Sequence, residues 1–254
     1  LSEAFTKPNM MQELAKVGYT QSYTYFTWRN TKHELTEYLT ELTQGPMKEY
    51  FRANFFANTP DILPEYLQQG GRPAFLIRAA LAALTMPVYG IYSGFELCEN
   101  APVPGKEEYI DSEKYQFKGR DWNAPGNIKD YVTRLNKIRS ENRALREYAN
   151  LRTHTAENDQ ILCFSKTTTS LDEALLVAVT VDPRNTQTAF VHVPLAEFGL
   201  TADEVYHVED LITGERYAWK GSRNFISLDP HSRPAHVFRI RRSVARVGGE
   251  DIFA

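Results

Sequence analysis

The apolar pattern of this chain changes period near residue 150, and that change constrains the fold more than any other feature. Up to about Glu147, strand-like and helix-like runs alternate. Beyond Asn150 the helical runs stop. Strand and helix repeated in alternation imply a parallel sheet, because each crossover helix returns the chain to the same edge. Short strands at close spacing with turn signals between them imply antiparallel sheets packed face to face.

In the first part, Leu1 to Phe5 reads as the end of a strand, and Asn9 to Val17 as a short helix closed by Gly18. Tyr19 to Trp28, rich in Tyr and Thr, reads as a strand. Thr31 to Thr43 is a helix. Thr31 and Glu34 have capping-box spacing, and Leu35, Tyr38, Leu39 and Leu42 fall on one face before Gly45-Pro46 ends the run. Tyr50 to Ala57 is a strand, Gly71 to Leu84 a nearly all-apolar helix with Pro73 in its first turn, and Met86 to Tyr92 a strand. A long charged loop runs from Ser93 to Gly126, a length that in compact domains usually carries function. Asn127 to Arg143 closes the series as an amphipathic helix.

In the second part, strands are predicted over Ile161–Ser165, Leu175–Val181, Ala189–Val193, Val205–Asp210, Arg216–Lys220, Asn224–Leu228 and Ala235–Arg241. The expected fold class is α/β plus all-β, with residues 1–150 forming the α/β unit and residues 151–254 an antiparallel β-sandwich. Four parallel strands fit half of an eightfold barrel or part of an open sheet. Both architectures place their sites at the carboxyl ends of the strands.

Composition narrows the partners. A net charge of −3 gives no electrostatic case for nucleic acid. No apolar run approaches the roughly 18 residues of a membrane span. Cys98 and Cys163 lie far apart and suggest neither a disulfide framework nor a zinc site, which fits a reducing compartment. The chain opens on Leu1 inside an ordered-looking segment and reads as a piece of a longer protein.

The strand tips carry the chemistry. Glu3 follows the first strand, Trp28-Arg29-Asn30 the second, Asn58-Thr59-Pro60-Asp61 the third and Ser93 to Glu99 the fourth. Two carboxylates delivered to one face by different strands suit glycoside chemistry, where one acid protonates the leaving oxygen and others stabilise an oxocarbenium-like transition state. The plainer readings are that Glu3 pairs with Lys7 or caps the following helix, that Asp61 caps a helix, that Tyr25 and Trp28 are core, and that Lys114 and Tyr115 are solvated.

Five segments, SEAFTKPNMM (2–11), GYTQSYTYFTWRNTKHELTEYLTEL (18–42), FFANTPDIL (55–63), YGIYSGFELCEN (89–100) and EKYQFKGRDW (113–122), together resemble the α-amylase superfamily, and within it the maltose-1-phosphate maltosyltransferases. The resemblance implies that residues 1–150 are the second half of a (β/α)8 TIM barrel and that residues 151–254 are the C-terminal β domain. It implies that Glu3 is the general acid/base, that Asp61 stabilises the transition state, and that Lys114 and Tyr115 contact the donor sugar. The implied reaction is retaining transfer of a maltosyl unit from maltose 1-phosphate to the non-reducing end of an α-1,4-glucan, with no metal or organic cofactor, in the cytoplasm. It allows a homodimer in the full-length protein.

Two departures sharpen this. The Asn-His-Asp triplet of most α-amylase relatives is replaced by Asn58-Thr59-Pro60-Asp61, without a His, which resembles the maltosyltransferase branch. The nucleophilic Asp of that family follows the fourth barrel strand, upstream of Glu3, so the isolated chain is expected to be inactive. The alternatives are another α-glucan transglycosidase or hydrolase of the superfamily, or a non-catalytic glucan-binding module.

Overall fold

The computed structural model describes residues 1–3, 6–113 and 117–241. The parallel sheet that the alternation implies is present. Strands β1 (Ser22–Tyr23), β2 (Ala53–Phe56) and β3 (Val88–Gly90) lie side by side in that order, each pair parallel. Ser2 adds a fourth position through a parallel bridge to Ser22.

Helix α1 (Pro8–Lys16) precedes β1, α2 (Lys32–Gln44) joins β1 to β2, α3 (Glu65–Thr85) joins β2 to β3, and α4 (Lys129–Glu141) follows β3. The Thr31 hydroxyl accepts from the Glu34 N–H while the Glu34 carboxylate accepts from the Thr31 N–H, so the capping box is formed in full. α3 is broken at Gly71, whose φ of 56° an L side chain rarely adopts. The break has a cause two residues on: Pro73 has no N–H and clashes with a preceding helical turn, so the helix restarts and takes Pro73 into its new first turn.

The eight remaining strands among the described residues pair antiparallel in two sheets. The larger runs β4 (Leu151–His154), β5 (Ile161–Thr167), β6 (Ala174–Thr180), β11 (Ala235–Arg241), β8 (Val205–Asp210) and β9 (Arg216–Lys220), and the smaller pairs β10 (Arg223–Leu228) with β7 (Gln187–His192). One face of the large sheet, with Leu162, Phe164, Leu175, Val177, Ala235 and Val237, joins the core built by α2, α3 and α4. The opposite face, with Cys163, Leu176, Ala178, Tyr206 and Phe238, packs on Ala189, Val191 and Ile226 of the small sheet. A sheet covered on both faces needs apolar residues on both, which is why β5 and β6 are buried almost end to end.

Several expected elements are shorter than their sequence pattern. Only Ser22–Tyr23 of the predicted Tyr19–Trp28 strand is extended, and Tyr25–Trp28 coils into a 3-10 turn. A fully buried Arg78 from α3 captures that turn. Its guanidinium donates to the carbonyls of Phe26 and Arg29, each at 2.6 Å, and stacks 3.8 Å from the Phe26 ring. Long-range capture of this kind overrides local β propensity. The predicted Tyr50–Ala57 strand narrows to Ala53–Phe56 because a 3-10 turn over Pro46–Glu49 continues into Phe51 through the Phe51 N–H to Met47 carbonyl bond of 2.8 Å. The predicted Met86–Tyr92 strand narrows to Val88–Gly90. Strand β4 has no counterpart among the expected elements: its Leu-Arg-Thr-His sequence offers one apolar side chain. Of the predicted strand end Leu1–Phe5, Ser2 is in the sheet, and Ala4 and Phe5 lie outside the described residues.

Candidate active site

The carboxyl edge of the parallel sheet collects the polar tips. Glu3 follows Ser2, which is fixed by its N–H to the Gln21 carbonyl at 2.7 Å and by the Tyr23 N–H to its own carbonyl at 2.9 Å. The Glu3 side chain is exposed at that edge and forms no ion pair with Lys7. Its charge reaches Tyr23: burial pushes that phenol up, and the Glu3 carboxylate adds to the rise.

Asp61 sits on the tip of a tight turn after β2. The ladder extends one residue, with the Ala57 N–H donating to the Gly90 carbonyl at 3.0 Å. Asn58, wholly buried, then locks the turn to two other elements. Its Oδ1 accepts the Tyr92 N–H at 2.8 Å and its Nδ2 donates to the Tyr109 hydroxyl at 2.6 Å. Thr59 and Ile62 exchange both backbone bonds, 3.0 and 3.2 Å, and close a loop of Pro60 and Asp61. Pro60 supplies the fixed φ that the second position of such a turn favours. The Thr59 hydroxyl accepts the Asp61 N–H at 3.3 Å. The capping alternative does not hold: α3 starts at Glu65 with Pro64 in the cap position and no side-chain cap.

Beyond the turn, the loop that follows β3 folds back over it. The Leu63 N–H donates to the Glu107 carbonyl at 2.7 Å. The Glu107 carboxylate accepts the Trp28 indole N–H at 2.7 Å and the Glu65 N–H at 3.1 Å. Farther along, Arg120 is almost fully buried between two acids, with Nε on Glu99 at 2.9 Å and Nη1 on Glu113 at 2.8 Å. Lys118 reaches Glu99 at 3.0 Å. Burial opposes ionisation of Glu99, but hydrogen bonds and charge from Arg120 and Lys118 outweigh it and hold the carboxyl below its usual range. Gly94 makes room for this cluster: a Cβ there would lie 2.4 Å from a Glu99 oxygen, and its φ of 91° already favours glycine.

The structure thus puts Glu3 and Asp61 on one edge of one sheet. They follow strands on either side of β1, which at about 4.8 Å per strand are about 10 Å apart at the backbone. Lys114 and Tyr115 lie outside the described residues, although Glu113 and Lys118 on either side are pinned by the cluster around Arg120. Tyr109 and Glu107, which hold the Asp61 turn, and Arg78, which holds the Tyr25–Trp28 turn, are marked by no motif in the sequence. The only sequence signals were the length of the Ser93–Gly126 loop and one Arg inside an apolar helix. Among the described residues no group of three or more His, Cys, Asp or Glu is placed to hold a metal, and no helix is long and apolar enough to cross a membrane. Cys98 and Cys163 are free thiols.

Comparison with known proteins gives this edge a context. Residues 153–240 match the family described as "GLGE, C-terminal". An α-1,4-glucan:maltose-1-phosphate maltosyltransferase of Rhodospirillum rubrum is 56% identical over 240 residues, which is 94% of this chain and 35% of that protein. The enzyme of the same name from Pseudomonas aeruginosa is 53% identical over 242 residues, 95% of this chain and 36% of that protein. Among solved structures, an α-amylase from Geobacillus thermoleovorans in complex with acarbose aligns with a TM-score of 0.66 at 14% identity, covering 95% of this chain and 53% of that one, a likeness of fold alone. The chain spans about a third of the length of the curated relatives it matches. Over that span the chain is similar in sequence to the α-1,4-glucan:maltose-1-phosphate maltosyltransferases, and its fold is like that of the α-amylase.

Proposed function

We propose that residues 1–150 are the second half of a (β/α)8 catalytic barrel and residues 151–254 its C-terminal β domain, within a retaining maltosyltransferase. The observation that carries this reading is the delivery of Glu3 and Asp61 to one carboxyl edge in a chain 56% identical to such an enzyme. The donor is maltose 1-phosphate and the acceptor an α-1,4-glucan.

In the first step, Glu3 as a carboxylic acid protonates the bridging oxygen as the anomeric carbon–oxygen bond to phosphate breaks. An Asp supplied by the upstream half forms the new bond to that carbon, giving a covalent maltosyl intermediate. Asp61 faces the positive charge that develops on the sugar and stabilises it. In the second step, Glu3, now a carboxylate, takes the proton of the 4-hydroxyl at the glucan's non-reducing end, which displaces the Asp and restores the α configuration. Lys114 and Tyr115 hold the donor sugar. The protein works in the cytoplasm, as a homodimer when complete. The 254-residue chain alone lacks the nucleophile and is inactive.

The experiment compares phosphate release from maltose 1-phosphate by the chain alone and by the protein with its upstream half. Release only by the latter is expected. Turnover by the chain alone contradicts the assignment of the nucleophile.

A further inference from the structure

The turn that carries Asp61 is gripped at both ends by one short stretch of the loop after β3. Residues 101–110 fold back on themselves as a hairpin. Pro102 and Tyr109 form an antiparallel bridge, the Ile110 N–H donates to the Ala101 carbonyl at 3.0 Å, and the Val103 N–H donates to the Glu108 carbonyl at 2.8 Å. Glu107 and Tyr109 are two residues apart on the returning arm, and each meets one end of the turn. At the upstream end, the hydroxyl of the buried Tyr109 accepts from the Asn58 amide at 2.6 Å, and its ring packs against Tyr92 at 5.5 Å between centroids. Tyr92 donates its own N–H to the oxygen of the same amide at 2.8 Å.

At the downstream end, Glu107 acts through both its backbone and its side chain. Its carbonyl accepts the Leu63 N–H at 2.7 Å, and one carboxylate oxygen accepts the Glu65 N–H at 3.1 Å. The second bond completes the start of α3, which has Pro64 in the cap position and no side-chain cap from there. The first N–H groups of a helix have no acceptor within it and carry partial positive charge, so a carboxylate brought from 42 residues away suits them. The other carboxylate oxygen accepts the Trp28 indole N–H at 2.7 Å and ties the hairpin to the tip of β1. Gln68 adds a further tie, donating to the Leu63 carbonyl at 2.8 Å and to the Lys106 carbonyl at 3.3 Å.

Asp61 therefore sits in a turn whose two feet stand on one hairpin. The bonds between Thr59 and Ile62 give the turn its shape, and Glu107 and Tyr109 fix where that shape sits. A carboxylate that stabilises developing charge works through fixed placement, and a displacement of about 1 Å can cost about a hundredfold in rate.

We propose that Glu107 and Tyr109 are positioning residues for Asp61 in the transfer reaction. The proposal rests on the maltosyltransferase reading, in which Asp61 faces the charge that develops on the sugar.

The test uses the full-length protein and follows phosphate release. Glu107→Ala and Tyr109→Phe are each expected to lower kcat by about tenfold or more, while the KM values for maltose 1-phosphate and maltohexaose stay within about threefold, because the loss falls on the transition state. Glu107→Gln, whose amide oxygen still accepts one N–H, recovers part of the loss. A double-mutant cycle identifies the residue through which both act. In an Asp61→Asn background, adding Glu107→Ala or Tyr109→Phe is expected to lower kcat by less than about twofold more. If Glu107→Ala does not fold, Glu107→Gln and Tyr109→Phe carry the same cycle. An unchanged kcat in these variants overturns the proposal, as does the same fold loss with Asp61→Asn as without it. No phosphate release from the unsubstituted protein overturns the maltosyltransferase reading, whereas release with kcat unchanged by the variants overturns the positioning alone.

Discussion

Lys166 on β5 is fully buried where the helices meet the large sheet. Its ammonium donates to the Thr85 carbonyl at 3.1 Å, at the end of α3, and to the Glu147 carbonyl at 2.7 Å. Arg139 serves the same helix end, donating to the Met86 and Pro87 carbonyls at 2.9 and 2.6 Å and to Ala83. Cations suit the negative end of a helix, but among the described residues neither has a carboxylate in contact, and burial is the largest cause that takes the Lys166 pKa from 10.5 down to about 7. The Arg139 charge contributes to that fall and Glu147 opposes it.

The sign follows from proton binding. Between pH 7 and pH 10.5 the unfolded chain holds this proton more tightly than the folded one, so stability rises with pH across that window. At 1.36 kcal/mol per unit, the whole window is worth at most about 5 kcal/mol, and the span from pH 7 to 9.5 about 3 kcal/mol. Urea unfolding of the chain at those two pH values measures it. Lys166→Met removes the titration and leaves two carbonyls without their donor, a loss of about 2 kcal/mol at pH 9.5. The expected result is that the variant loses the pH dependence of the parent. Equal pH dependence in the two proteins would refute the reasoning.

Three further outcomes are expected. Asn58→Ala strands the Tyr92 N–H and the Tyr109 hydroxyl and should cost about 3 kcal/mol in urea unfolding. His154, pushed down to about 4 by burial, should make the chain lose stability as pH falls from 6.5 through 4, and His154→Gln should flatten that part of the profile. In the full-length protein, Glu3→Gln and Asp61→Asn should each lower kcat by at least about a hundredfold, with the melting temperature nearly unchanged. Near-normal turnover by either variant removes that residue from the mechanism.

Local signals were the legible ones. The Thr31–Glu34 box marked the start of α2, and the alternation of buried Tyr206 and Val208 with exposed Val205 and His207 marked β8, because those cues lie within one turn or one strand. The Tyr19–Trp28 run misled because its conformation is decided by Arg78, some fifty residues downstream. The site shows the same division. Asn58 and Asp61 stand out in sequence as polar residues ending an apolar strand, and Pro60 announces the turn. Glu107 and Tyr109 lie in a charged loop with no periodicity, and their part in holding that turn exists only once the loop has folded back onto Asn58 and Leu63.

The central claim is disaccharide transfer, and product analysis tests it most directly. Full-length protein is incubated with maltose 1-phosphate and maltohexaose, and the glucans are separated by mass. The expected products lengthen by two glucose units per step, with one phosphate released for each. Phosphate accompanied by free maltose and an unchanged acceptor, or lengthening by single glucose units, would contradict the assignment.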